Sequence, residues 1–149
     1  MSQPKPKLAI ASDHAGTVLK KFLIEELKEV AFTDFGTQGT ESVDYPDFAS
    51  KACQAVLEGK CERAILVCGT GIGMSIAANK INGIRAAHSE SIFTAQMAME
   101  HNNANVLCIG ERVTGSAVAL AMARAWLNAK FEARHQKRVD KINALEKQK

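Results

Sequence analysis

Aromatic residues are scarce in this sequence, and long apolar runs are absent from it. Phe, Trp and Tyr together make up 5% of the 149 residues. No segment reaches the roughly 20 apolar residues that a membrane-spanning helix needs. The opening MSQPKPK lacks the apolar centre of a secretion signal. These absences predict a soluble, cytoplasmic protein that does not enter a membrane.

Paired cysteine motifs are also missing. The four cysteines form no C-x-x-C pair, and no histidine stands at the spacing of a zinc finger. The four histidines are scattered along the chain. We therefore expect reduced thiols, no disulfide framework and no metal site.

The net charge of +3 is concentrated near the C-terminal end. From Lys130 onward there are seven Lys or Arg and three Asp or Glu residues, against twelve and thirteen in the preceding part. Basic segments attract nucleic acid, but the aromatic residues that would stack on bases are few here, and acidic residues alternate with the basic ones. A small anion is therefore a better candidate ligand than nucleic acid.

Apolar runs and amphipathic periods alternate along the chain. Strands are predicted at 7–12, before Asp34, at 63–68, at 84–88 and at 105–110, with helical patterns between them and a helix over about 114–128. Such alternation favours one α/β domain, a three-layer α/β/α sandwich with a Rossmann-like five-stranded parallel sheet. Ligands of such sheets bind at the carboxyl ends of the strands. We therefore expect the polar residues at 12–14, 44–45, 68–73, 101–102 and 110–112 to converge on one edge.

The segment VCGTGIG, residues 67–73, carries glycine at three alternate positions behind a predicted strand. It does not complete the dinucleotide-binding pattern G-x-G-x-x-G, because Met74 occupies the last position, and no Gly-Lys-Ser/Thr of an ATPase follows. A tight turn alone would explain one or two glycines. Three of them allow backbone N–H groups at a helix start to approach an oxyanion.

Cys68 lies at the edge of this glycine loop. A thiol beside the N–H groups of a helix start ionises more readily, so Cys68 is a candidate base or nucleophile. The other cysteines, Cys53, Cys61 and Cys108, are expected to fill apolar space.

Five segments, in this order and spacing, resemble type B ribose-5-phosphate isomerases and the related galactose-6-phosphate isomerases. They are SDHAG (12–16), DYPDFA (44–49), CGTGIGMSIAANKINGIRAA (68–87), EHNNANVLCIGERV (100–113) and RHQKRV (134–139). The resemblance covers nearly the whole chain. It implies an aldose–ketose isomerase of the pentose phosphate pathway that interconverts ribose 5-phosphate and ribulose 5-phosphate, needs no cofactor, and shares its active sites across a homodimer.

The resemblance also implies roles for individual residues. Isomerisation through an enediolate needs a base and donors for the developing oxyanion. By resemblance, Cys68 takes the C2 proton, Thr70 and the loop hold the enediolate oxygens, and His101 works in opening the furanose ring. Asp13 and Asn102 would bind sugar hydroxyls. The remaining implied substrate-binding residues are His14, Tyr45, Gly69, Gly71, Ile72, Gly73, Arg112, Arg134 and Arg138, with His14 and the three arginines binding phosphate.

Several of these residues have simpler interpretations. His101 could complement a helix dipole, Asp13 could be a helix N-cap, and Arg134 with Arg138 could form a solvated face. Some relatives have a carboxylate base about where Met74 stands, which leaves Cys68 as the base of this loop. Glu111 stands where relatives often have Ser, and we expect it to weaken phosphate binding slightly or to face water.

A final amphipathic helix is predicted over about 131–147, because apolar residues recur there at helical spacing. These residues are Phe131, His135, Val139, Ile142 and Leu145. The helix packs either on its own sheet or across a two-fold axis. The resemblance favours the partner subunit and hence a homodimer, with a tetramer as a further alternative.

Two other functions stay open on the sequence alone. One is a hexose 6-phosphate isomerase acting on galactose or allose 6-phosphate, since such enzymes share the fold. The other is a non-enzymatic module that senses nucleotides or phosphate, which predicts nucleotide binding and indifference to thiol alkylation. A (β/α)₈ barrel is excluded by length, because it needs about 250 residues.

Overall fold

The computed structural model describes residues 3–146. The strands are β1 Lys7–Ser12, β2 Ala31–Asp34, β3 Arg63–Cys68, β4 Ala86–His88 and β5 Val106–Gly110. They form one parallel sheet in the order β2-β1-β3-β5-β4. The helices are α1 Thr17–Glu26, α2 Tyr45–Leu57, α3 Ile72–Asn79, α4 Ile92–Glu100, α5 Ser116–Asn128 and α6 Gln136–Leu145. The predicted Rossmann-like α/β sheet is confirmed.

Alternate residues of the central strands face opposite layers of helices. In β1, Leu8 and Ile10 join the core beneath α1, α4 and α5, whereas Ala9 and Ala11 join the core beneath α2 and α3. The first core includes the fully buried Trp126. Burial on both faces explains why the central strands read as nearly uninterrupted apolar runs.

A crevice opens where the chain leaves β1 and β3 in opposite directions. The connection after β1 runs through α1 to the outer strand β2. The connection after β3 runs through α3 to β4, the outer strand on the other side of the sheet. Neighbouring loops that diverge in this way leave a ligand-sized gap at the carboxyl ends of the strands. Because Ser12 pairs with Val67, segments 13–16 and 68–73 lie side by side at this gap.

The C-terminal segment differs from the predicted helix over about 131–147. Helix α6 begins only at Gln136, after a 3₁₀ turn at Ala133–His135, and residue 147 lies outside the described residues. Beyond α5 the backbone is extended at Ala129, and Glu132 N donates to Glu100 O at 2.9 Å. The chain thus turns onto the end of α4 before the helix starts, a tertiary contact that helical periodicity does not encode.

Strand β4 is also shorter than predicted, at 86–88 rather than 84–88. Arg85 N donates to the Asn105 side chain at 2.8 Å instead of extending the strand. None of the helices in residues 3–146 combines the length and apolar character needed to traverse a bilayer.

Candidate active site

Cys68 ends β3, and the following backbone turns around its sulfur. The residue is 5% exposed, and Gly71 N–H donates to its Sγ at 3.1 Å. On its other side Cys68 packs in the apolar core that includes Met74 and Cys108. The structure therefore places the sulfur at the boundary between the core and the polar turn.

The glycine loop is enclosed by close contacts on two sides. Gly71 has φ of 81°, and a Cβ there would lie 2.8 Å from His88 Cδ2. A Cβ on Gly73 would lie 2.6 Å from the ring of Tyr45, the residue that starts α2. The loop leads directly into α3, so the predicted helix N-terminus and the pocket residue Tyr45 do meet at the glycines.

Asp13 and His14 follow β1 beside this loop. The Asp13 carboxylate accepts from Ala15 N at 2.9 Å and shapes a turn; the N-cap of α1 is Gly16, so the N-cap interpretation of Asp13 is wrong. His14 Nδ1 accepts from Val43 N at 3.2 Å, which leaves the proton of the neutral ring on Nε2.

Arg112 reaches the loop from the end of β5. Its backbone N donates to Gly69 O at 3.0 Å, and its Nη1 would lie 3.2 Å from a Cβ on Gly69. The Arg112 side chain therefore packs against the glycine. With His14, it gives this edge two groups that suit a phosphate.

The remaining cysteines are buried, as the sequence predicted. Cys53, Cys61 and Cys108 lie in the core between the sheet and α2–α3. Burial raises the pKa of Cys53 to about 11 and that of Cys108 well above its usual value, the latter helped by the neighbouring thiols. These thiols are poor nucleophiles near neutral pH.

The amino edge of the sheet, where its strands begin, lies opposite the carboxyl edge, where Cys68 ends β3. Four of the predicted residues lie at the amino edge: His101, Asn102, Arg134 and Arg138. His101 caps the C-terminal end of α4, and four residues later Asn105 O accepts from Ala64 N at the start of β3. Asn105 is thus level with the start of β3, whereas Cys68 ends that strand. The four residue steps of β5 between these two levels span about 13 Å. Within one chain these four residues do not converge with the glycine loop, so the expectation of a single polar edge is wrong for His101 and Asn102.

The four residues share a cavity of 380 Å³ that α6 helps to enclose. The rings of His101 and His135 are 4.3 Å apart, and Arg138 Nη1 lies 3.4 Å from His135 Nδ1. Burial lowers the pKa of His135, and the adjacent positive groups lower it further. The interpretation of Arg134 and Arg138 as only a solvated face therefore misses a concave, positively charged surface that suits an anion.

Residues 8–142 match the family model described as Ribose/Galactose Isomerase. The chain belongs to this family. Ribose-5-phosphate isomerase B of Escherichia coli is 44% identical over 146 residues, which covers 96% of this chain and 98% of that protein. The family resemblance seen in the sequence is thus confirmed.

Solved structures of the family have the same fold. Ribose-5-phosphate isomerase B of Clostridium thermocellum superposes with a TM-score of 0.93 at 50% identity, covering 95% of this chain and 98% of that one. The Mycoplasma genitalium enzyme with bound ribulose-5-phosphate gives 0.92 at 39% identity, covering 99% and 100%. This isomerase family therefore accounts for the entire described fold.

Two residues beside the family's glycine loop were missed or misread in the sequence. The residue that was missed is His88, whose Nε2 lies 2.9 Å from Thr70 O. The signal for it in the sequence was its position at the end of a predicted strand, where ligand-site residues collect. Glu111 Oε1 accepts from Leu19 N at 2.6 Å. Glu111 does not simply face water, because its carboxylate satisfies an N–H group in the first turn of α1. A slight weakening of phosphate binding by Glu111 stays a prediction.

One cluster at the amino edge has metal-ligand spacing. The ligand atoms of His101, Glu132 and His135 lie within 4.8 Å of one another. However, Arg134 Nε already donates to the Glu132 carboxylate at 2.8 Å, and Arg138 adds a second positive charge nearby. A cation would have to compete with this ion pair, so the residues fit a metal poorly. That this isomerase needs no metal and no cofactor stays a prediction.

Proposed function

We propose that this isomerase interconverts D-ribose 5-phosphate and D-ribulose 5-phosphate through an enediolate, with Cys68 as the base. The observation that carries the proposal is the Cys68 sulfur at the carboxyl end of β3, held by Gly71 N–H at 3.1 Å. The chain is an aldose–ketose isomerase, and the relatives named ribose-5-phosphate isomerase B support a pentose 5-phosphate as substrate.

The chemistry needs one proton shuttle and one oxyanion site. The Cys68 thiolate takes the proton from C2 of the open-chain aldose, the C2 electron pair forms the C1–C2 double bond, and charge moves onto the C1 oxygen. The C2 hydroxyl then gives its proton to the C1 oxygen and C2 becomes the carbonyl, while the thiol returns the first proton to C1. The glycine loop at the start of α3, with Thr70, is positioned to stabilise the enediolate oxygens.

The other implied residues divide between the two edges of the sheet. Asp13 and Tyr45 line the substrate beside the loop, with His14 and Arg112 on the phosphate. His101 opens the furanose ring. At the same edge as His101, Asn102 binds hydroxyls, and Arg134 with Arg138 adds positive charge for the phosphate.

We also infer that the site is completed by a second copy of the chain. One chain holds its two sets of residues at opposite edges, so a two-fold partner must bring its amino edge to the Cys68 edge. Exposed apolar residues are available for the contact on both sides: Ile72 and Ile76 on α3 are 50% and 57% exposed, and Ile142 and Leu145 on α6 are 43% and 57% exposed. A homodimer satisfies this requirement, and a tetramer would pair two such dimers.

Substitution of the proposed base tests the mechanism. Cys68→Ala is expected to lower kcat on ribose 5-phosphate by about 10²- to 10⁴-fold, the usual contribution of a general base. Cys61→Ala, which removes another buried thiol, is the matched control and should retain kcat. Full activity of Cys68→Ala would overturn the role of Cys68.

A substrate panel tests the specificity. Ribose 5-phosphate is expected to give a higher kcat/KM than galactose or allose 6-phosphate. A higher value for a hexose phosphate would favour the hexose isomerase. Tight nucleotide binding, without turnover of any sugar phosphate, would favour the sensing module.

Mixing two inactive variants tests the shared site. Cys68→Ala and His101→Asn disable different edges, so a hybrid dimer has one intact site when the two edges come from different chains. Unfolding and refolding an equal mixture should restore about a quarter of wild-type activity, since half of the dimers are hybrids. No recovery, in a mixture shown to exchange subunits, would place both residues of a site in one chain.

We further propose a cytoplasmic location. Cys53, Cys61, Cys68 and Cys108 are all free thiols in the structure. Thiols of this kind are kept reduced in the cytosol, where disulfides are rare. Fractionation of the source cells with a cytosolic marker would check the location.

A further inference from the structure

His88 contacts the Cys68 loop through a single peptide group. Its Nε2 lies 2.9 Å from Thr70 O. A carbonyl oxygen can only accept, so Nε2 carries the proton and donates. The same peptide group continues into Gly71 N–H, which donates to Cys68 Sγ at 3.1 Å. The imidazole and the sulfur are thus joined by two hydrogen bonds across one amide.

The fold holds the His88 ring in this position. His88 ends β4 and pairs with Cys108 of β5. The ring packs so closely on Gly71 that a Cβ there would approach Cδ2 to 2.8 Å. The hydrogen bond to Thr70 is therefore set by the sheet and by the absence of a side chain at position 71.

A peptide group transmits such a contact because its C=O and N–H are conjugated. Donation to the carbonyl oxygen draws electron density from the amide and makes its N–H a stronger donor, so successive hydrogen bonds reinforce one another. At this site the strengthened donor points at the sulfur. The sulfur form that gains most is the thiolate, because a charged acceptor makes the stronger bond.

We propose that His88 is a positioning residue that stabilises the Cys68 thiolate through the Thr70–Gly71 peptide. This inference deepens the proposed function, since it concerns the residue proposed as the base. Its effect on catalysis is indirect, because the imidazole contacts the loop and not the sulfur itself.

Other charged and titratable groups surround this pair. Glu90 Oε1, in the loop after β4, lies 3.7 Å from His88 Nε2. Arg112 lies against Gly69, Tyr45 lies against Gly73, and Cys108 shares the buried core with Cys68. All four remain when His88 alone is replaced, so a comparison of His88 variants isolates the imidazole.

Alkylation of Cys68 tests the proposal without substrate. The rate of Cys68 modification by iodoacetamide is followed by mass spectrometry of its peptide, between pH 6 and pH 10. His88→Leu removes the donor and should slow the reaction near neutral pH by about twofold to fivefold, a fraction of one charge-assisted hydrogen bond. The difference should vanish at the highest pH, where the thiol ionises in every variant.

Two further measurements separate this role from a structural one. His88→Gln keeps an N–H donor of similar reach and should restore most of the alkylation rate. In urea all variants should react alike, because the loop is then unfolded. With ribose 5-phosphate, kcat of His88→Leu should fall by a similar factor while KM is unchanged.

Three results would overturn the proposal: a wild-type alkylation rate in His88→Leu, an equal loss in His88→Gln and His88→Leu, or a slower rate that persists at the highest pH. Failure of the proposed function is seen separately, as activity retained by Cys68→Ala. The alkylation result does not depend on that activity.

Discussion

The two edges of the sheet carry the two parts of the proposed site in very different surroundings. At the carboxyl edge, the loop 69–73 is packed against Tyr45, His88 and Arg112 with little spare volume. At the amino edge, Arg134 and Arg138 line an open cavity of 380 Å³, and the Arg134 side chain is 67% exposed. The first edge is fixed by packing within its own chain, whereas the second is an open, positively charged surface.

This difference separates what folding requires from what function requires. Residues of the carboxyl edge are constrained by their neighbours, so most changes there should alter stability and activity together. The amino-edge arginines contribute little to the fold, because exposed ion pairs are worth about 0–1 kcal/mol. Changes there should alter activity alone. Three substitutions test the contrast, from the largest expected effect to the smallest.

Gly71→Ala should produce the largest loss of stability. A Cβ at this position would lie 2.8 Å from His88 Cδ2 and 3.0 Å from the Ile109 carbonyl carbon, on a backbone with φ of 81°. Strain and overlap together should lower the free energy of unfolding by about 2–4 kcal/mol, measured by urea denaturation.

Gly59→Ala is the matched control for the backbone term. Gly59 has φ of 76°, but no atom lies within 4 Å of its Cβ position. Only the left-handed backbone is then penalised, at about 1 kcal/mol. Equal losses in the two variants would contradict the view that the loop is tightly enclosed.

Much of the carboxyl edge could be predicted from the sequence. An apolar run that ends in Cys68 and continues with three alternate glycines specifies a buried strand, a thiol and a helix start, all of which are local properties. The bond from His88 to Thr70 is not local. It depends on β5 lying between β3 and β4, an arrangement that only the assembled sheet sets.

The residues of the amino edge could be identified from the sequence, but His101 and Asn102 were predicted at the wrong end of the sheet. A helix that connects parallel strands runs back along the sheet, so a residue at its C-terminal end lies at the amino edge. That rule applied to α4 puts His101 away from Cys68, and the information was present in the strand–helix alternation. The late start of α6 could not be predicted in this way, because it follows from the tertiary contact of Glu132 with Glu100.

Arg134→Ala should reduce activity without changing stability. Arg134 bonds only to Glu132 among the described residues, and this exposed pair contributes little. Loss of one charge-assisted contact to phosphate should lower kcat/KM by about tenfold to a hundredfold. Arg124→Ala, which removes an exposed pair with Glu29 and a hydrogen bond to Glu26 O, is the control and should retain activity. A loss of stability in Arg134→Ala greater than in Arg124→Ala would contradict the contrast between the edges.

Glu111→Ala should have the smallest effect, and it should be seen in both stability and KM. The Glu111 carboxylate joins the loop after β5 to Leu19 N in α1, and the next residue is Arg112. Removal leaves an N–H group of the first turn unsatisfied, at a cost of about 1 kcal/mol in unfolding. A looser Arg112 should also raise KM for ribose 5-phosphate by about twofold to fivefold with kcat unchanged. Glu111→Gln keeps the acceptor oxygen and should restore KM. If both variants raise KM equally, the charge of Glu111 matters rather than its bond to α1, and this link between Arg112 and the fold is refuted.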